Sequence, residues 1–495
     1  MDRTFPALLG RMQELKDLSG VIGLATWDQE TYLPPRAAEA RAQQLSTLQA
    51  LYHERLVDPA LGDALAWAGA QGEALGADPR AMVRVLAHER ERAVRVPARL
   101  VRALAEAQGR ALTAWREARE ARDFGRFRPA LGEVLALRRE QADAYGHAGE
   151  RYDALLEGYE PGMRVSRLTP VLEALRERLV PLVGALTARP PPPDVLAGKR
   201  FDTEAQWRFT LELLAAMGFD LEAGRQDRSV HPFTGGTHPL DVRLTTRLYE
   251  ELPLSSVFST IHEAGHGLYE QGFAPELHRT PLAAAPSMGL HESQSRLWEN
   301  LVGRSRAFWT HWLPRLAAHF PAQLSGVGLD AFLGTVNRVE PSLVRVEADE
   351  VTYNLHVVLR YELELLLVKD QLPLEELPAE WNARMERYLG VRPAHDTEGV
   401  LQDIHWAWGE FGYFPTYALG NLYAASLYRA AAAQLPGLEE GLGRGELLPL
   451  RDWLREKVHA PGYRLPAEER VRAVTGQGLT DADFLAYLRT KYGTP

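Results

Sequence analysis

Apolar side chains recur at three- and four-residue steps along most of this chain, and that period commits it to helix. Between Pro35 and Leu56, the residues Ala38, Leu45, Leu48, Tyr52 and Leu56 share one side while arginines and glutamates fill the other. Such a stripe is the buried face of an amphipathic helix. The pattern returns around residues 80–120, 126–148, 168–187, 203–216, 353–368 and 416–434, with Pro or Gly near many of the gaps. The expected fold class is all-α, as one large two-lobed domain over residues 1–495. The stiff run Pro190–Pro193 marks a sub-boundary near 190–200.

One stretch departs from the helical period. From Arg228 to Leu248 the chain carries Pro232, Gly235, Gly236 and Pro239, then alternates Val242, Leu244, Thr246 and Leu248. Period two with turn formers ahead of it predicts a short β ribbon. It lies just upstream of the sharpest motif in the sequence.

Composition narrows the chemistry. The chain has no cysteine, so disulfides, thiolate metal sites and cysteine nucleophiles are excluded together. Any metal must be held by His, Asp or Glu. The net charge is −10 and no dense cluster of basic residues stands out, which argues against a nucleic-acid partner. No apolar run approaches the roughly 18 residues that span a bilayer, and the start, MDRTFPALLGRMQELKD, mixes charge into what would be the apolar part of a secretion signal. A cytoplasmic protein with no membrane partner is expected. Only five of the 56 basic residues are lysine, a bias that fits a GC-rich genome or a heat-adapted source.

The segment Phe258-Ser-Thr-Ile-His262-Glu263-Ala-Gly-His266-Gly-Leu-Tyr269 places His-Glu-x-x-His inside a helical pattern. Residues four apart leave a helix on the same face, so both imidazoles can reach one tetrahedral Zn²⁺ while Glu263 approaches the water it activates. With 15 histidines and 66 acids in 495 residues, a random chain would carry the motif ~0.06 times. Gly265 and Gly267 add weight. Glycine costs up to about 1 kcal/mol in a helix interior, so its presence signals close approach of a neighbour.

A hydrolytic site needs a third protein ligand and one open position. Extension of the motif by a third histidine would need Gly at 269 and His at 272, where Tyr269 and Gly272 stand. The remaining option is a glutamate from a later segment, and Glu270, Glu276, Glu292 and Glu299 compete. Spacing does not choose among them, although Glu292 opens an amphipathic segment at hairpin distance.

These residues resemble the thermostable carboxypeptidase Taq family of zinc metallocarboxypeptidases. The likeness is carried in order by His231-Pro232-Phe233, Asp241-Val-Arg243-Leu-Thr245, the His262 motif, His291-Glu292-Ser293-Gln294, Arg345-Val-Glu-Ala-Asp349 and Gly399-Val-Leu-Gln402-Asp403-Ile-His405-Trp406. Trp27-Asp28-Gln29 extends it towards the amino terminus. The resemblance implies a helical fold with a deep groove, removal of single residues from peptide carboxyl termini with broad preference and poor action beside proline, and a homodimer. It also implies Glu292 as the third ligand. The metal is then Zn²⁺, with Co²⁺ equally suited to the donors.

Roles follow for the rest. Glu263 is the expected general base. For the oxyanion donor, similarity of Gly412-Tyr-Phe-Pro-Thr-Tyr417 to a related dipeptidyl carboxypeptidase puts Tyr417 first and His405 second. Recognition of a free carboxylate calls for a guanidinium at the closed end of the groove. The motif match makes that Arg345, with Arg243 narrowing the same end, although Arg345 and Asp349 also stand at the i,i+4 spacing of a surface pair. His231 is expected to touch the substrate or brace the site, and His291 to orient the metal ligands through Glu292.

Overall fold

The computed structural model describes residues 4–493. Among the described residues helices dominate, and a single three-stranded sheet interrupts them. The expected helices are present as Ala38–Val57, Phe124–Tyr145, Val165–Thr187, Thr203–Met217, Tyr353–Val368 and Pro415–Gln434. Side chains and turn residues set their ends. Asp123 and Asp202 accept backbone N–H groups at helix starts, while Gly146 and Gly218 take positive φ where helices stop.

The stretch 80–120 is two helices rather than one, Ala77–Arg95 and Ala98–Ala121. Pro97 explains the break. Its ring excludes the residue before it from helical geometry, and Val96 is accordingly extended.

The ribbon gains a strand that the alternation did not reveal. Strands β1 (Gly224–Arg228), β2 (Thr234–His238) and β3 (Asp241–Thr246) lie in the order β1-β3-β2. β3 pairs in parallel with β1 and antiparallel with β2. Val242 and Leu244 are fully buried, and the pairing ends at Thr246. The first helix, Phe5–Thr31, packs beside this sheet through Trp27, whose ring lies under the guanidinium of Arg243 at 4.2 Å.

The motif helix is Pro253–Glu270. A Cβ on Gly267 would fall 2.8 Å from Leu244 and Phe219, and one on Gly265 would fall 2.6 Å from the backbone of Gln294 and Ser295. The two glycines therefore let the helix sit directly on β3 and on the helix Met288–Arg296. That second helix starts at Ser287, whose hydroxyl accepts the Leu290 N–H, and runs on into a wide turn, Leu297–Val302. One hydrophobic core extends from Leu8 to Leu488 and joins these elements. The Pro190–Pro193 run leads into residues tied to a later part of the chain: Val195 N–H donates to Thr335, and Lys199 donates to the Gln323 carbonyl.

Candidate metal centre

His262 and His266 leave the motif helix on the side where Glu292, from Met288–Arg296, meets them. Nε2 of His266 is 3.4 Å from Oε2 of Glu292, and Nε2 of His262 is 3.8 Å from the same oxygen. Among the described residues these three form the only group of His or carboxylate side chains with donor atoms gathered closely enough to share an ion. Bonds of about 2.0–2.1 Å at tetrahedral angles put ligand atoms about 3.4 Å apart, so the spacing fits Zn²⁺.

Electrostatics favour a cation at this point. Burial opposes charge on His262, but Glu292 and Glu299 outweigh it and draw its pKa up. The field that favours an imidazolium favours a metal ion. His266 is pushed down to about 4, by burial first and then by His291 and His262, so its ring is neutral near pH 7 as a ligand must be. Burial alone would raise Glu292, yet Arg296 and the two imidazoles hold it well below the usual carboxylate range. Arg296 donates to Glu292 Oε1 at 2.7 Å, which leaves Oε2 for the shared site.

The surrounding groups fix each ligand. Nδ1 of His262 lies 2.9 Å from Glu299 Oε2. His291 stacks on His266 with ring centroids 4.5 Å apart, and its Nε2 is held by Glu270 at 2.8 Å. His291 thus packs on His266, where the sequence suggested an action through Glu292. Of the four competing glutamates, Glu292 joins the imidazoles, Glu299 and Glu270 support them, and Glu276 pairs with Arg464 instead.

Glu263 is buried beside β2. The Thr234 hydroxyl donates to its Oε2 at 2.6 Å. Burial raises the Glu263 pKa against the opposing effects of His262 and Thr234, which moves a carboxylate towards the range where it both takes and returns a proton.

Tyr417 and His405 are brought together: Nε2 of His405 lies 3.2 Å from the Tyr417 hydroxyl. Burial, with the nearby Arg345, depresses His405 to about 3, while burial drives the Tyr417 phenol well above its ordinary value. Both are neutral, and Tyr417 keeps its proton for donation. The Arg345 guanidinium lies over the Tyr417 ring at 4.8 Å. Arg345 does not pair with Asp349, which instead accepts the N–H groups of Val351 and Thr352. Arg345 reaches Asp403 and the Tyr353 hydroxyl.

Two expected residues stand apart. Arg243 is held on β3 by Asp241 and Trp27, and His231 is exposed in the loop between β1 and β2. Among the described residues no hydrogen bond, ion pair or ring contact joins either one to the triad. Nothing in the sequence pointed to Thr234, whose pairing with Glu263 joins segments 29 residues apart, whereas Arg296 stands at the i,i+4 spacing from Glu292 and the i,i+3 spacing from Glu299 that local helix geometry makes readable.

Two imidazoles from one helix and a carboxylate from another, with a buried glutamate between the imidazoles, define a metal-dependent hydrolase of the His-Glu-x-x-His kind. The chain belongs to the carboxypeptidase Taq (M32) metallopeptidase family, whose model matches residues 7–492. It is a metallocarboxypeptidase. Thermostable carboxypeptidase 1 of Thermus thermophilus is 46% identical over 99% of this chain and 98% of its own length, and carboxypeptidase 1 of Bacillus subtilis is 36% identical over 97% and 96%. The crystal structure of an M32 carboxypeptidase from Deinococcus radiodurans superposes with a TM-score of 0.96 at 42% identity, covering 99% of this chain and 98% of that one.

Proposed function

We propose that this chain is a zinc-dependent carboxypeptidase that releases single amino acids from free peptide carboxyl termini, with broad preference and poor action beside proline. The observation that carries the reading is the convergence of His262 and His266 on one oxygen of Glu292. Co²⁺ suits the same donors.

When bound, the ion supplies Lewis acidity, polarising the scissile carbonyl and lowering the pKa of a water from 15.7 to about 7. Glu263 accepts the proton of the attacking water and returns it to the leaving amine. Thr234 keeps that carboxylate turned towards the imidazoles rather than free to rotate. The Tyr417 hydroxyl, braced by neutral His405, donates to the oxyanion as it forms. Arg345 takes the terminal carboxylate through its guanidinium. Arg243 is assigned to narrowing the same end of the site, and His231 to touching the substrate or bracing the site, both apart from the triad.

The test uses an unblocked peptide, its carboxyl-terminal amide, and the enzyme as wild type and Glu263→Gln, with products followed by mass. Single residues should leave the free terminus in wild type alone. Chelation should stop release, and Zn²⁺ or Co²⁺ should restore it. Equal release by both proteins would overturn the mechanism, and cleavage of the amide at internal bonds would make the enzyme an oligopeptidase.

The relatives from Thermus thermophilus and Pyrococcus furiosus are named as thermostable. We extend heat stability, a homodimeric state and a cytoplasmic location to this chain as part of the same reading. No helix among the described residues is long and apolar enough to cross a membrane. Sedimentation velocity and a thermal melt check the first two.

A further inference from the structure

Beneath Tyr417, one buried carboxylate serves two buried guanidiniums. Oδ1 of Asp403 accepts from Arg345 at 3.1 Å and 2.9 Å, and Oδ2 accepts from Arg360 Nε at 2.6 Å. The side chains of Arg360, Arg345 and Asp403 are only 0%, 6% and 11% exposed, so solvent does not balance their charge. Among the described residues no second carboxylate forms an ion pair with either guanidinium. His356 and His405 are held neutral by burial and the adjacent arginines. Glu364, one turn beyond Arg360, spends its oxygens on Tyr152, Trp406 and the Gly412 N–H, and burial raises it to about 7. The two arginines and one aspartate thus sum to one positive charge that no direct ion pair to another carboxylate balances.

An unbalanced buried charge is costly unless something is meant to meet it. If Asp403 faced Arg345 alone, the pair would be neutral and would offer a peptide carboxylate little attraction. With Arg360 drawing on the other oxygen, Asp403 is shared, and the charge left over equals that of one carboxylate. Arg345 is where it can be used: its remaining Nη1 reaches only the Tyr353 hydroxyl, and it lies against Tyr417. Arg360 lies deeper, between Trp381 and Phe414, and carries no surface of its own.

We infer that Arg360 is a positioning residue for substrate: by sharing Asp403 it leaves the Arg345 guanidinium with net positive charge for a peptide's terminal carboxylate. The inference rests on the proposed role of Arg345.

The experiment measures KM and kcat of the metal-loaded enzyme on an N-acylated tripeptide with a free carboxylate. Arg360→Met should raise KM roughly 10- to 100-fold, the range for weakening a charge-assisted hydrogen bond, with kcat changed less than about threefold. Arg360→Lys should keep KM near wild type. The decisive variant is Arg360→Met combined with Asp403→Asn, which restores one net positive charge and keeps an oxygen for Arg345. It should bring KM back to within about fivefold of wild type.

An unchanged KM in Arg360→Met overturns the inference, as does a double variant no better than the single one, because packing would then be the whole effect. If Arg360→Met fails to fold, the double variant decides: a KM near wild type supports charge sharing, and a KM as high as that of Arg345→Met overturns it. Arg345→Met also separates the two levels of the argument. An unchanged KM there removes the carboxylate role of Arg345 and this inference with it. A raised KM there beside an unchanged one in Arg360→Met removes this inference alone.

Discussion

Nδ1 of His262 and Oε2 of Glu299 are 2.9 Å apart, and that contact decides which face of the imidazole is free. A proton on Nδ1 donated to the carboxylate leaves the Nε2 lone pair directed at Glu292. Glu299 is itself fixed by Arg296 at 3.3 Å and Arg304 at 3.2 Å. A carboxylate, an imidazole and the shared site thus stand in one line, an arrangement that fixes ring orientation and raises ligand basicity.

Glu299→Ala should therefore lower metal affinity by about 10- to 100-fold while leaving all three ligands in place. Competition with a coloured zinc chelator measures it. An affinity equal to that of wild type would show that the ring is oriented by packing alone.

Thr234→Val removes the hydroxyl that donates to Glu263 and keeps its volume. That hydrogen bond favours the ionised carboxylate, so losing it raises the Glu263 pKa. The acid limb of the kcat/KM profile should move to higher pH. A limb that stays put, or moves lower, would mean that another group sets it.

Gly265→Ala would put a methyl group 2.6 Å from the Gln294 carbonyl oxygen and the Ser295 Cα, both backbone atoms that cannot turn aside. The helix bearing Glu292 has to retreat. We expect a loss of about 1–3 kcal/mol in stability, as for other overpacked contacts, together with weaker metal binding. Denaturant titration and chelator competition report the two effects. A variant with wild-type values in both would show that the two helices have slack between them.

Glu160 sits at the start of the same helix, where its carboxyl accepts the Gly289 N–H. Burial pushes it up to about 8, against the opposing hydrogen bonds from Ser287 and Gly289. Below about pH 4.5 the folded and unfolded chains both hold this proton. Between there and about 8 the folded chain keeps it while the unfolded chain releases it, so stability falls as pH rises through that window and levels off above it. Glu160→Gln removes this dependence. Its melting temperature relative to wild type should climb from pH 5 to pH 8 and then flatten, whereas a constant difference would show that the carboxyl ionises in its ordinary range.

Legibility in the sequence followed distance along the chain. The four-residue spacing of His262 and His266, the glutamate between them, and the close approach marked by Gly265 and Gly267 were all readable, because a helix of 3.6 residues per turn fixes such relations locally. The helical period around 80–120 was readable as well, but periodicity alone does not weigh a single proline, and the division into Ala77–Arg95 and Ala98–Ala121 at Pro97 emerges only in the structure. β1 was hidden because Gly224-Arg-Gln-Asp-Arg228 shows no apolar alternation. It is recruited by parallel pairing with β3.

The third ligand marks the limit. Spacing left Glu270, Glu276, Glu292 and Glu299 open, and it was likeness to a family that favoured Glu292. The fold separates the four by setting which helix faces which: Glu292 meets Nε2 of both imidazoles, Glu299 meets Nδ1 of His262, Glu270 holds His291 and Glu276 pairs with Arg464. Arg345 makes the same point: local spacing offered it Asp349, but packing delivered Asp403, 58 residues away. Sequence by itself determined the helices, the metal-binding motif and the absence of thiol chemistry, all of which depend on residue type and short-range geometry. Tertiary structure alone decided that Glu299 orients His262, that Thr234 holds Glu263 and that Arg360 shares Asp403. Such pairings join segments whose meeting is fixed only when the whole core closes, and no local period encodes them.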